Sequence, residues 1–574
     1  MSPYTFIVVL SFLSFSYSFG QGKGEFNSPL NIPLSLSGNF GELRATHFHA
    51  GLDFRTQGVT GKPVFAAAKG YVSRIKIQSG GYGHSLYITH PNGYTTVYAH
   101  LDQYIPEIED YVLIHQYEKK SFEIELFPGS ERFVFEKGQL IGYSGNTGSS
   151  GGPHLHFEIR KSLGQIPVNG LLFGFPVEDN KAPEFRNLYV YSYISGEPFS
   201  MFGRERKIYP VRSMNNKYVI DGVIECADSY IGFGAEVYDF LNGSSNRCGV
   251  YIMQLIIDGV PMFMFQIDAV SFGNSRYVNA HMDYEMKIQE NRSVHRLFLL
   301  PNNKLPIYSS PNGNGLFYLL NDSIHVCEIK ALDAYGNSSS LEFRVKRKSD
   351  IPVPFVEPFE GQIFKWSDGG SFSRGNYSIK IPPKALYQDA IINSYISNGT
   401  GNPLTDTLVI SSSGGPTHVG FTLSARLDGD FEKYHDKYFF ARVDNKKLVS
   451  EGGDYKQGEI HVTTRNFGKY IIVADTVPPE LTSVNLKSKQ SYPAGHKLNF
   501  KVKDDLTGIS SYEAYIDDKW ALLEYDAKTG TLTYAVDPSR LSKAQSHKIR
   551  ITVTDGRNNK TIYNGQFQHE ESTH

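Results

Sequence analysis

Along Gly70-Tyr-Val-Ser-Arg-Ile-Lys-Ile77, and again along Ser85-Leu-Tyr-Ile-Thr89, apolar and polar residues follow a period of two. That period admits a half-buried strand and excludes an amphipathic helix, whose apolar positions recur at three and four. Glycine-rich turns punctuate such runs through residues 28–180, so this region is expected to be a compact antiparallel β domain. An aromatic content of 13%, with 37 Tyr and 38 Phe, extends the expectation to the whole chain, because aromatic side chains pack well on pleated surfaces. The expected fold class is all-β. With 574 residues the chain exceeds the about 250–300 at which one core stops growing, which implies about four domains.

The order of those domains is read from shifts in texture. Residues 1–20 begin with a dozen mostly apolar residues and give way to Ser18-Phe-Gly-Gln21, which reads as a secretory leader, although no Lys or Arg precedes the apolar run. Residues 25–180 form the first domain, interrupted at 102–136 by a longer connection. Within it, Pro106-Glu-Ile-Glu-Asp-Tyr-Val-Leu-Ile-His-Gln-Tyr117 has helical spacing, so a helix plus a hairpin is expected there. After the linker Val177-Glu-Asp-Asn-Lys-Ala-Pro183, two segments share a pattern. Each has a strand, an Asp turn and a strand, as in Ile256-Ile-Asp-Gly-Val260 and Tyr515-Ile-Asp-Asp-Lys519. Each closes on an Asp-led turn with Asn, in Asp333-Ala-Tyr-Gly-Asn337 and Asp555-Gly-Arg-Asn558. These are expected to be immunoglobulin-like sandwiches over 184–349 and 478–570, flanking a β-rich domain over 352–475.

A formal charge of -2, from 57 basic and 59 acidic residues, gives no field that would draw the chain to nucleic acid. Beyond the leader, no stretch approaches the ~18–20 apolar residues of a membrane span. Cys226, Cys248 and Cys327 are the three cysteines; one pair could form a disulfide, and three buried free thiols is an equal reading. None follows the leader, which excludes lipid attachment at a new N-terminal Cys.

The residues able to carry chemistry lie near the start. His47-Phe-His-Ala-Gly-Leu-Asp53 places an imidazole and a carboxylate four residues apart, and Pro153-His-Leu-His156 places two imidazoles one residue apart. On a strand, His154 and His156 share a face, and with His49 and Asp53 they can build an open tetrahedral zinc site of three protein ligands. A lone His-x-His is more often a surface pair. Here His100 ends another strand-like run, Val97-Tyr-Ala-His-Leu101, and the glycine-rich Gly142–Gly152 loop leads directly into the histidine pair.

Taken in order, His-x-Gly-x-Asp, Tyr-Ala-His-Leu, Gly-Asn-Thr-Gly and Gly-Pro-His-Leu-His-Phe-Glu resemble the M23 (lysostaphin/LytM-type) metallopeptidases over residues 38–172. The resemblance implies that His49, Asp53 and His156 hold one Zn²⁺, while His100 and His154 stand beside the substrate carbonyl. One of the two imidazoles would relay a proton and the other would stabilise the oxyanion. His47 is left as a supporting residue by the spacing of the motif, and Glu42, Arg44, Tyr98 and Asn146 are read more readily as solvated or structural than as cleft residues. The connection 102–136 and the long C-terminal β extension depart from the family pattern without removing any of the five residues.

The function so implied is that of an exported zinc metalloendopeptidase cutting peptide cross-links in peptidoglycan, in the periplasm, the cell envelope or the medium. The overall arrangement is similar to long Bacteroidetes-type members. The alternative is a non-catalytic wall-binding or regulatory LytM-type protein with a β-module scaffold. The implied partners are the peptidoglycan peptide and a wall or protein ligand for the C-terminal modules, with no nucleic acid and no membrane span.

Overall fold

The computed structural model describes residues 24–193, 204–214, 217–227, 230–310, 313–348, 361–397, 405–427, 434–445, 447–542, 544 and 546–570. The leader expected over residues 1–20 lies outside them, as does the start of the segment expected over 352–475.

The N-terminal region is one eleven-stranded sheet with a single α-helix. Its strands are β1 (Leu36–Gly38), β2 (Leu52–Arg55), β3 (Pro63–Phe65), β4 (Gly70–Ile77), β5 (His84–Thr89) and β6 (Tyr94–Tyr104). After the helix α1 (Pro106–Lys119) come β7 (Ile124–Leu126), β8 (Val134–Phe135), β9 (Leu140–Ser144), β10 (His154–Lys161) and β11 (Ile166–Val168). The spatial order is β1-β2-β10-β6-β5-β4-β7, all antiparallel. β10, late in the N-terminal region, thus becomes an interior strand, between β2 and β6.

In the 102–136 connection, Pro106 sits in the first turn of α1, where its missing N–H removes nothing, and Ile108 and Val112 point into the core. The helix ends where Lys120 takes a left-handed conformation, φ 50°. The expected hairpin does not form. β7 and β8 each pair with β4, at its two ends, because the exposed edge of that long strand offers both of them unpaired backbone groups.

Beyond the linker, the described strands form three pairs of sheets: five and eight strands within 184–347, six and five within 362–474, and four and five within 480–569. Their ladders are antiparallel except where the short strands Lys217–Val219, Ile224–Cys226 and Ser491–Tyr492 add in parallel at the margins. The two Asp turns singled out in sequence are two-residue hairpins. Asp258 and Gly259 have φ of 50° and 78°, and Asp517 and Asp518 have φ of 47° and 63°. Both central residues are left-handed in each, as the twist of the flanking strands requires. Cys226, Cys248 and Cys327 are buried and none is in a disulfide.

One hydrophobic core runs without a break from the N-terminal sheet into the 184–347 segment. Backbone bonds cross between them, from Asn169 N to Asp268 O (2.8 Å) and from Val270 N to Pro167 O (3.2 Å). The last pair of sheets also returns to the N-terminal region. Trp520 meets Tyr117 of α1 edge to face at 5.1 Å, and the Arg540 guanidinium lies 3.7 Å above the same ring. Among the described residues no helix is long and apolar enough to cross a membrane.

Replacing Phe157, fully buried on the core face of β10, by alanine is expected to destabilise the N-terminal unit by about 3–5 kcal/mol, read as a lowered denaturant midpoint for the full chain.

Candidate metal centre

The alternation along β10 sorts two tasks onto two faces. Leu155, Phe157 and Ile159 go into the core, fully buried, while His154, His156, Glu158 and Arg160 take the other face. The register sets His156 opposite Asp53 of β2 on one side and Ala99 of β6 on the other. His49 comes from the turn before β2, pinned by Gly41 N to His49 O and His49 N to Glu42 O, both 2.9 Å.

Gly51 is what allows this turn to close on β10. A Cβ there would stand 2.5 Å from Phe157 O and 2.9 Å from His156 Cε1, so any side chain would push the two segments apart. As a result three donor atoms converge. His49 Nε2 is 3.1 Å from Asp53 Oδ1 and 3.2 Å from His156 Nδ1, and Asp53 Oδ1 is 2.8 Å from His156 Nδ1. Donors around a tetrahedral zinc with bonds of ~2.0–2.1 Å stand about 3.3–3.4 Å apart, so these three side chains fit such an ion with small adjustments. His49 and His156 are only 7% and 5% exposed, which removes competing bulk water from the ligand atoms.

Both imidazoles are oriented from behind. His49 Nδ1–H donates to Asn39 O (2.7 Å) and His156 Nε2–H donates to Glu158 Oε1 (2.8 Å), so in each ring the other nitrogen turns its lone pair toward the metal position. Asn39 is clamped by Gly249, donating through Nδ2 to Gly249 O (2.8 Å) and accepting at Oδ1 from Gly249 N (2.7 Å). Glu158 accepts from Arg160 Nε (2.6 Å) and from the Tyr82 hydroxyl (2.5 Å). Burial opposes charge on Glu158, but Arg160 and His156 hold its pKa at about 2. Burial also opposes a cationic His156, yet the Asp53 and Glu158 carboxylates push it up to about 9. Asp53 resists the same burial, because the charge on His49 and the hydrogen bonds of His154, His156 and His49 hold it well below the usual carboxylate range.

His100 and His154 stand beside this triad. A bulge places His100: Ala99 and His100 together oppose Ser85 alone, and His100 adopts φ 59° while its N–H leaves the ladder for Tyr82 O (2.9 Å). The rings of His100 and His154 are 4.8 Å apart, and His100 is 5.8 Å from His156. Each donates its Nδ1–H to a carbonyl of the glycine-rich loop, His100 to Thr147 O and His154 to Gly152 O, both at 2.8 Å. That bond leaves Nε2 of each ring free to face the site, and His154 Nε2 is 3.5 Å from Asp53 Oδ1. Burial, reinforced by the charges of His156 and His154, lowers His100 to about 3, so its ring is neutral near pH 7. The loop is held against the 80–83 turn, where Gly83 and Gly148 meet so closely that neither could carry a Cβ.

The remaining residues weighed from sequence fall elsewhere. His47 is exposed and meets the Thr46 hydroxyl. Tyr98 is core, its hydroxyl taking Ala67 N (2.7 Å) and Thr96 Oγ1 (3.0 Å). Arg44 and Glu42 are no solvated turn: Arg44 Nη2 is 3.1 Å from Glu42 Oε2 and 3.8 Å from Asp53 Oδ2, backing the second oxygen of the acidic ligand. Asn146 does line a cleft of about 900 Å³, between Asp102, Pro106 and Glu109 on one side and Glu524 and Asp526 on the other. There Lys528 Nζ, from the last module, donates to Asn146 O and, at 3.4 Å, to Ser150 O. Sequence reasoning gave no role to Asn39, Tyr82, Glu158 or Arg160; the period-two spacing of Glu158 and Arg160 behind His156 is the signal that could have raised the last two.

The family model described as Peptidase family M23 matches residues 47–116 and 131–169. Over these residues the N-terminal domain is similar to peptidase family M23. The gap in the M23 match, 117–130, lies inside the connection after β6. A second model, the Zu5-like domain, matches residues 361–475. Over 164 residues, 28% of this chain and 31% of the relative, the chain is 34% identical to the DD-carboxypeptidase/endopeptidase Mpg of Neisseria meningitidis serogroup B. Over 157 residues, 26% of this chain and 30% of the relative, it is 32% identical to the peptidoglycan DD-endopeptidase ShyA of Vibrio cholerae. The chain thus spans about three-tenths of the length of these curated relatives. Among solved structures, a zinc-containing peptidase from Vibrio cholerae aligns over 27% of this chain and 41% of its own, at 26% identity and a TM-score of 0.20.

A metal ion needs the neutral form of His156, whose pKa the Asp53 and Glu158 carboxylates push up to about 9. Zinc binding near pH 7 is therefore expected to release about one proton, and affinity to fall as pH drops; calorimetry in buffers of different ionisation enthalpy reads the proton directly. Glu158→Ala is expected to weaken zinc binding about 10–100-fold in a chelator competition assay, because the ring loses the acceptor that fixes its tautomer.

Proposed function

We propose that this protein is an exported zinc metalloendopeptidase that hydrolyses peptide cross-links of peptidoglycan. The observation that carries the reading is the convergence of His49 Nε2, Asp53 Oδ1 and His156 Nδ1, with two carbonyl-anchored imidazoles, His100 and His154, beside them. A structural histidine cluster has no need of five groups presented together with their other ring nitrogens already satisfied.

His49, Asp53 and His156 are the ligands in this reading. Zinc bound by them supplies Lewis acidity, polarising the scissile carbonyl and lowering the pKa of a water toward ~7. Everything else is done by the chain. Asn39 and Glu158 keep the two imidazole ligands in the ligating tautomer. His100, its Nδ1–H anchored on Thr147 O, accepts the proton of the attacking water at Nε2 and delivers it to the leaving amine. His154 is placed to stabilise the charge that develops on the carbonyl oxygen. The cleft beside the glycine-rich loop takes one arm of the cross-linked peptide, with α1 as one wall and the 524–528 segment as the other.

The relatives named as DD-endopeptidases support a D,D bond within the cross-link as the target. A wall substrate places the working protein outside the cytoplasm. The C-terminal modules are proposed to hold the catalytic face against polymeric substrate, which raises its effective concentration.

Cross-linked muropeptides incubated with the zinc-loaded full chain are expected to be cut to monomers, as read by mass spectrometry. His156→Ala should abolish the cleavage, and His100→Ala should lower kcat by about 10²–10⁴-fold with little change in KM. Intact substrate with zinc bound at full occupancy would overturn the assignment.

A further inference from the structure

A second group of possible metal ligands lies at the junction between the peptidase domain and the module that follows. Asp179 belongs to the connecting segment, Asp239 directly follows the strand Tyr230–Tyr238, and Asp333 directly follows the strand His325–Leu332. One carboxylate oxygen from each lies within 4.8 Å of the others. Among the described residues no Lys or Arg side-chain nitrogen comes within 4.0 Å of any of the three; Lys181 reaches Asp179 Oδ1 only through its backbone N–H (3.1 Å). Its Nζ donates to Leu241 O (3.2 Å) instead.

What sets this cluster apart is oxygen with nothing to accept from. Asp239 is 2% exposed, and its Oδ1 is sealed from solvent with no protein donor in reach. Asp179 Oδ2 is in the same position, and so is the hydroxyl of Tyr335, which lies in the field of all three carboxylates. A sealed, unanswered carboxylate oxygen ordinarily costs several kcal/mol, so it survives in a fold only with a compensating partner.

The chain carries its own control. The last module has an acidic trio in the same frame, Asp475, Asp504 and Asp555. In both frames an Asn side chain ties the Asp-led turn to the carbonyl of the linker aspartate. Asn337 Nδ2 donates to Asp179 O (3.3 Å) and Asp333 Oδ2 (2.7 Å), and Asn559 Nδ2 donates to Asp475 O (2.9 Å) and Asp555 Oδ2 (2.8 Å). In the last module every carboxylate is answered. Asp475 takes Val477 N and the Thr507 hydroxyl, and Asp504 Oδ2 takes the N–H groups of Leu506, Thr507 and Gly508. At the junction the third position is Asp239, whose Oδ1 finds no such donors.

We propose that Asp179, Asp239 and Asp333, with the Tyr335 hydroxyl, form a calcium site that fastens the peptidase domain to the following module. The donor set is oxygen only, which selects a hard cation over zinc. Calcium accepts an irregular oxygen cage drawn from separate loops, whereas magnesium keeps most of its water and is seldom held by protein alone. Without a cation, burial and, behind it, the neighbouring negative charges raise Asp239 to about 8 and Asp179 to about 7, the behaviour of carboxyls that lack a counter-charge. The proposal is independent of the zinc chemistry, since none of these residues belongs to the triad.

The test titrates calcium chloride into the zinc-loaded full chain in chelator-resin-treated buffer, followed by calorimetry and by thermal unfolding. One equivalent of calcium is expected to bind and raise the melting temperature. Asp239→Asn should lose at least a hundredfold in affinity and lose the calcium-dependent shift, while melting no lower than wild type without calcium, because a neutral amide replaces an unpaired carboxyl. Asp179→Asn should behave likewise and serves if the first variant fails to fold; Asp504→Asn in the answered trio should leave calcium binding unchanged. Absence of any heat or melting shift with wild type at millimolar calcium, or undiminished binding in the Asp239 and Asp179 variants, overturns the proposal and leaves a site filled by water alone.

Discussion

Beneath His156 lies a carboxylate with no exposed surface. Removing an ion from water carries a penalty of several kcal/mol, and Glu158 meets it with Arg160 on one oxygen and with the His156 ring and the Tyr82 hydroxyl on the other. This buried chain of charge decides which nitrogen of His156 carries the proton, and so decides that Nδ1 faces Asp53. Arg160 is in turn sandwiched over the ring of Phe272 (4.7 Å) from the next module, which shields the pair from water. Loss of either charge would leave the other uncompensated in the interior, a far larger disturbance than loss of a surface pair.

The same economy recurs on every side of the site. Each imidazole is used at both nitrogens: one toward the chemistry, the other toward a carbonyl or carboxylate supplied by a neighbouring strand or loop. The glycine-rich loop is therefore a source of rigid acceptors, which explains a composition that by itself reads as mobile. Gly51 and Gly148 serve close approach, not flexibility, since a Cβ at either would strike the backbone of another segment.

How much of this could be read in advance depends on whether a feature is local. The strand Gly70–Ile77 has the bounds its pattern gives, its alternation slipping by one residue at a bulge between Val72 and Arg74, α1 begins at Pro106, and both Asp turns are the tight hairpins their residues favour. The common face of His154 and His156 follows from the strand period alone. Partners distant in sequence were not legible. Nothing near Asn39 announces Gly249, and nothing near Tyr98 announces that its hydroxyl accepts from Ala67 N in the core. Glu42 and Arg44 read as a solvated turn because periodicity reports exposure, not the carboxylate of Asp53 waiting two strands away. The hairpin in the 102–136 connection failed for a related reason: two short strands joined the open edge of β4 in preference to each other. In the closing turn of the last module the capping side chain is Asn559, one residue beyond the expected Asn558, because its amide alone reaches both Asp475 O and Asp555 Oδ2.

The clamp between Asn39 and Gly249 means that the orientation of His49, a candidate metal ligand, is inherited from a module that contributes no donor atom to the triad. In an evolutionary sense the two units can no longer be shuffled freely. A recombination event joining this N-terminal domain to a different neighbour would transfer every donor atom intact and still loosen His49, unless the incoming module presented an N–H and a carbonyl to position 39 in the same spacing. The heritable unit of this metal centre is thus larger than the set of residues that touch the metal, and its true boundary lies beyond the linker at 177–183.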